Sequence, residues 1–168
     1  MNRAEINTVQ GQIARSGLQL CVGIPAAMFA IALILRKTLP FLATPITSEA
    51  NIKLLGYVFI GLAVVDVIVA FIIKRRLISV KNLLARYSFH PASFAKQLAQ
   101  AYLPVFAICA GPALYGLVFY LLGGDLDTYV LISIICPAAF LLLKPKEEEI
   151  ERLESEIFAL SEHNISSE

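Results

Sequence analysis

Four long apolar runs, residues 18–35, 54–73, 99–122 and 128–143, alternate with short polar stretches along the chain. The second contains about twenty residues, the length needed to cross a hydrocarbon core of roughly 30 Å as a helix. The fourth is short, and would reach further by starting in the turn before it and ending with snorkelling Lys144 and Lys146. The pattern predicts an all-α integral membrane protein of four transmembrane helices arranged as two hairpins. A final helix is predicted from its own periodicity: after Pro145, Ile150, Leu153, Ile157 and Leu160 recur at three- and four-residue steps among six glutamates. Residues 144–168 thus form an acidic amphipathic helix and tail whose apolar stripe, Ile150, Leu153, Ile157 and Leu160, is the candidate surface for a partner helix or for the basic loop.

The polar stretches orient this domain of residues 18–143. Residues 74–96 hold Lys74, Arg75, Arg76, Lys81, Arg86 and Lys96 and no acid. Such a loop stays in the cytoplasm, and alternation then places both termini there, an N-in/C-in arrangement in the cell's cytoplasmic (inner) membrane. Lys74, Arg75, Arg76, Lys81 and Arg86 are candidates for contact with anionic lipid headgroups. Leu77, Val80, Leu84 and Tyr87 share a helical face, so the second helix is expected to run on along the interface until Pro91. Residues 36–53, with Pro40 and Pro45, read as a loop, and 123–127 as a tight acidic turn. The N-terminal segment, residues 1–17, carries Ile6, Val9 and Ile13 at helical spacing and is expected to lie as an interfacial helix among the headgroups.

Composition sharpens the class but not the activity. The 168 residues are 58% hydrophobic, above the roughly 45–50% of soluble domains, and the formal net charge of +1 hides the separation of a basic middle from an acidic end. Cys21, Cys109 and Cys136 all fall in apolar runs with no CxxC or Cys/His spacing, so they read as small apolar core or lipid-facing thiols rather than metal ligands. Nothing indicates a cofactor, a metal, a nucleic acid or a catalytic nucleophile with its base. Residues 113–118, ALYGLV, locally resemble the stretch after the ion-binding carboxylate of rotary ATP synthase proteolipids; the acid that defines that family is replaced here by Ala110, so no ion-binding role carries over.

One residue breaks the apolar pattern. Asp66 is the only charged side chain inside the four runs, and a carboxylate at membrane depth costs about 2.5–3.5 kcal/mol on insertion scales. Gly56, Ala63 and Ala70 recur every seven residues on the same helix, placing Asp66 beside a small-residue seam and aiming it at a neighbour, with Tyr102, Tyr115 and Ser133 as candidate partners. Gly23 with Ala27, and Ala26 with Ala30, form further small-xxx-small pairs. The expected function is a non-enzymatic subunit, scaffold or assembly partner of a membrane complex, in contact with the bilayer, anionic headgroups and a protein partner or a second copy. The alternative is a proton- or ion-coupled transporter or channel component in which Asp66 titrates.

Overall fold

A computed structural model describes residues 3–39, 48–84 and 91–165, and every regular element among them is helical. The elements are α1 (Arg3–Leu18), α2 (Ile24–Thr38), α3 (Glu49–Leu77), α4 (Val80–Leu84), α5 (Pro91–Cys109), α6 (Gly111–Leu121), α7 (Leu126–Leu143) and α8 (Glu147–Ile165), with a π-helical turn, Gln19–Gly23, joining α1 to α2. Four helical stretches, Ile6–Thr38, Glu49–Leu77, Lys96–Leu121 and Leu126–Leu143, are long and apolar enough to cross a membrane. Arg86 and the prolines Pro40 and Pro45 lie outside the described residues, as do the side chains of Lys81 and Leu160.

The third stretch is the centre of the bundle. Half of its most apolar window is buried, against 17% for each of the first two, and α6 touches α2, α3, α5 and α7. Small residues explain the position: Gly111, Ala113 and Gly116 let neighbours approach, and Tyr129 and Ser133 of α7 fill the space where a Cβ on Gly116 would stand. Proline shapes it too. Pro112 sits in the first turn of α6, where its missing N–H costs no helical bond, and the chain breaks at Ala110 between α5 and α6.

Of the two expected hairpins, only that of α6 and α7 is packed as one. The α2 and α3 helices lie against the third stretch rather than against each other, because the seam of α3 is directed there: Ile52, Gly56, Ala63 and Ala70 are its buried residues. A Cβ added at Gly56 would meet Phe119 and Thr128 at 3.2 Å. The seven-residue recurrence of small residues therefore marks the packed face of α3, as expected from the sequence.

Two expectations about helix extent need correction. The second helix does not run on along an interface; it stops at Leu77, and α4 is a separate short helix. Ser79 Oγ and Asn82 Nδ2 both donate to the Arg76 carbonyl, local bonds that compete with continuation of the helix. The N-terminal helix does not keep its apolar stripe for headgroups either. Ile6, Val9 and Ile13 are buried in the same cluster as Leu98 and Ile150, because α1 packs on α5 and α8 and runs through the π-turn into α2.

The α6–α7 turn is built from its own residues. Gly123 has φ 95°, a left-handed backbone that favours glycine, and its N–H bonds the Tyr120 carbonyl. Asp125 caps α7, accepting from the Thr128 N–H at 2.7 Å and from the Thr128 hydroxyl at 3.0 Å. Partial burial opposes the charge on Asp125, but these bonds outweigh it and hold its carboxyl below the usual carboxylate range. A depressed folded-state pKa means that the cap's contribution is complete above the ordinary value of about 3.9 and is lost as pH falls through the folded value. Asp125→Ala should cost about 1 kcal/mol at neutral pH, and an acid titration of thermal stability should show the variant and the parent converging at the lowest pH.

Candidate functional site

Asp66 sits on α3 between the fully buried Ala63 and Ala70 and is itself half-buried. Its Oδ2 lies only 2.6 Å from where a Cβ on Gly111 would stand, so glycine at the first position of α6 makes room for the carboxylate. The start of a helix carries a partial positive charge, and Asp66 faces that end of α6. Its hydrogen-bond partner is Tyr115, one turn further along α6, whose ring stacks on Phe59 of α3 at 5.9 Å between centroids. Of the other candidate partners, Tyr102 turns to Glu149, and Ser133 Oγ, like the Tyr129 hydroxyl, is buried without a hydrogen-bond partner among the described residues.

The asparagine variant isolates the charge from the shape. Asp66→Asn keeps an acceptor for the Tyr115 hydroxyl and should leave thermal stability within about 1 kcal/mol, whereas Asp66→Leu leaves that hydroxyl unpaired and should cost about 1–3 kcal/mol. Unfolding of detergent-solubilised protein measures both.

Three thiols converge near this carboxylate, a cluster that sequence reasoning did not foresee. Cys21, Cys109 and Cys136 are all fully buried. Cys21 lies beside Cys109, and its Sγ donates to the Phe106 carbonyl at 3.6 Å. Cys109 and Cys136 both lie within electrostatic range of Asp66. Their placement follows breaks in helical regularity: Cys21 is in the π-turn, Cys109 ends α5, and Cys136 precedes Pro137. Each lies within four residues of a proline in the sequence, which was the available signal. Among the described residues no three His, Cys, Asp or Glu side chains are placed to hold a metal ion.

At one end of the bundle the basic last turn of α3 meets α8. Lys74 Nζ and Glu149 Oε2 are 2.9 Å apart, with side chains 14% and 29% exposed, and the Tyr102 hydroxyl approaches the same oxygen at 3.5 Å. The Lys74 ammonium also lies 5.5 Å from the centroid of the Tyr102 ring. Lys74 is therefore committed to an internal ion pair, which withdraws it from the headgroup role expected of it. Arg75 and Arg76 remain exposed, Arg75 stacked over Phe71 at 5.0 Å.

The apolar stripe of α8 is internal as well. Ile150, Leu153 and Ile157 are buried with Ile6, Val9, Leu83 and Leu98, and Gln10 Nε2 donates to the Pro145 carbonyl at 3.2 Å where α8 begins. Those three residues close the chain's own core and present no surface to a separate helix. At the opposite end Arg36 donates to the Gly124 carbonyl at 3.2 Å and lies over the Tyr120 ring at 4.4 Å, so this cation ties the end of α2 to the α6–α7 turn.

The surface left open is apolar. The α3 side chains Val58, Leu62, Val65 and Ile72 stand exposed, as do Leu131, Ile134, Leu141 and Leu142 of α7. On the π-turn and α2, Gly23, Ala26, Ala27 and Ala30 face outward on one side of the helix, and a Cβ at Gly23 would meet nothing within 4 Å. Comparison with protein families, with curated proteins and with solved structures finds no match to this chain.

Proposed function

We propose that this chain is a non-enzymatic, multi-pass subunit or scaffold of a membrane complex, seated in the cytoplasmic membrane with both termini and the basic connector on the cytoplasmic side. The observation that carries the proposal is the outward face formed by Gly23, Ala26, Ala27 and Ala30. Spacing of i, i+3, i+4 and i+7 makes it a smooth track on one side of a helix, the kind of surface on which a second membrane helix comes close enough for backbone contact. The chain's own helices leave that track uncovered, while the equivalent track on α3 is filled by α5, α6 and α7. The clustering of Lys74, Arg75 and Arg76 at the same end as α8 supports the orientation.

Crosslinking in native membranes followed by solubilisation tests the proposal. Wild type is expected in a discrete assembly, and Gly23→Leu with Ala27→Leu should reduce that species about tenfold without lowering the thermal stability of the isolated protein. A wild type that is strictly monomeric and free of partners would sink the idea.

A second function, a proton- or ion-coupled transporter or channel component working through Asp66, is favoured by the half-buried setting of that carboxylate against the start of α6. Its signature would be ion flux into proteoliposomes, read with a pH-sensitive dye, that Asp66→Asn abolishes. Absence of flux in wild type removes it.

A further inference from the structure

A cleft of about 390 Å³ opens where the end of α3 meets the start of α8. Its floor is apolar, from Ile78 and Leu153, both nearly buried. Its rim is basic: Lys74, Arg75 and Arg152 against the single carboxylate of Glu149. Glu149 is matched by Lys74, which leaves the guanidinium groups of Arg75 and Arg152 to meet a ligand, Arg75 with its full charge and Arg152 with its charge shared with Glu156. Arg152 meets Glu156 through Nε at 3.4 Å, with both side chains exposed.

The approach to this cleft is a strip of α3. Val64, Ile68, Phe71 and Arg75 follow one another on a single helical face, and the three apolar residues are all about half exposed. From Val64 to Arg75 the helix rises about 16 Å, close to the depth of one leaflet of a hydrocarbon core of roughly 30 Å. A hydrocarbon chain lying on this strip would run from mid-bilayer to the Phe71 ring, and the group attached to it would arrive between Arg75 and Arg152. Guanidinium groups bind the oxygens of a phosphate in bidentate fashion and are more weakly hydrated than ammonium groups.

We propose that this cleft holds the phosphate of one anionic glycerophospholipid, whose acyl chain lies along Val64, Ile68 and Phe71. The bound phosphate joins Arg75 of α3 to Arg152 of α8, so the lipid fastens the acidic helix to the bundle. The site depends on α3 crossing the membrane but not on the helix track of α2, and its failure would leave the partner-helix proposal standing. Chain order could not reveal it, because its two arginines are 77 positions apart and Arg152 belongs to a segment whose charge is dominated by glutamates.

Full-length protein in mild detergent, titrated with phosphatidylglycerol or phosphatidylcholine and followed by native mass spectrometry, is the test. One phosphatidylglycerol is expected to be retained in preference to phosphatidylcholine. Arg75→Gln and Arg152→Gln should each weaken retention about fivefold, since a basic side chain near a headgroup contributes about 1 kcal/mol. Lys144→Gln, an exposed cation outside the cleft, should leave it unchanged. Equal retention of the two lipids, or an Arg75→Gln/Arg152→Gln double variant that binds like wild type, would overturn the site. Competition by glycerol 3-phosphate or inorganic phosphate as effective as by the lipid would overturn its assignment to a membrane lipid and identify a soluble phosphate ligand instead.

Discussion

Gly17→Ala should destabilise the protein by about 1–3 kcal/mol, and Gly17→Leu by more, because no free volume exists for even one added carbon. A Cβ at this position would stand 2.5 Å from Phe140 Cε2 and 2.9 Å from Phe106 Cε2. Those rings are buried and tilted against each other at 59° with centroids 5.6 Å apart, so relieving one contact worsens another. Gly23→Ala, six residues on, is the internal control. It meets nothing within 4 Å, and removing a glycine from a helix should stabilise by up to about 1 kcal/mol. Thermal unfolding in detergent separates the two, and a Gly17→Ala protein as stable as its parent would contradict the packing of α1 against α5 and α7.

The second large effect is expected at Lys74 and Glu149. Lys74→Met leaves a partly buried carboxylate with only a long contact from Tyr102, and Glu149→Gln leaves a partly buried ammonium beside an aromatic ring. Each single change should cost about 1–3 kcal/mol, less than the about 3–5 kcal/mol of a fully buried pair because water still reaches both groups. The double variant should recover part of the loss, giving a coupling energy of about 1 kcal/mol or more in a double-mutant cycle. Limited proteolysis provides an independent readout, since the bridge ties α8 to α3 and its loss should expose the chain between Pro145 and Ile157 to cleavage. Additive losses would show that the two charges act separately.

The positions of the long helices, the small-residue face of α3 and the turn at Gly123 and Asp125 were all legible in the residue order. Each is a local property: apolar length, a seven-residue recurrence, a glycine pair beside an acid. What the N-terminal and C-terminal stripes pack against was not legible. Ile6, Val9 and Ile13, like Ile150, Leu153 and Ile157, suit a headgroup layer, a partner or the chain's own core equally well, and helical periodicity does not distinguish among them. They cover the same cluster from opposite ends of the chain. For the same reason Lys74 looked available to lipid until Glu149, 75 positions away, was found beside it.

By itself the sequence determined the class of this protein: four apolar helices, one carboxylate among them, and charges segregated into a basic connector and an acidic end, because apolar length and side-chain type act without reference to distant residues. Only the tertiary structure decided that the third stretch is central, that Asp66 meets Gly111 and Tyr115, that three thiols converge, and that Arg75 and Arg152 border one cleft. Those facts depend on which helix faces lie together, and close approach of two backbones is set by the shapes of both partners at once.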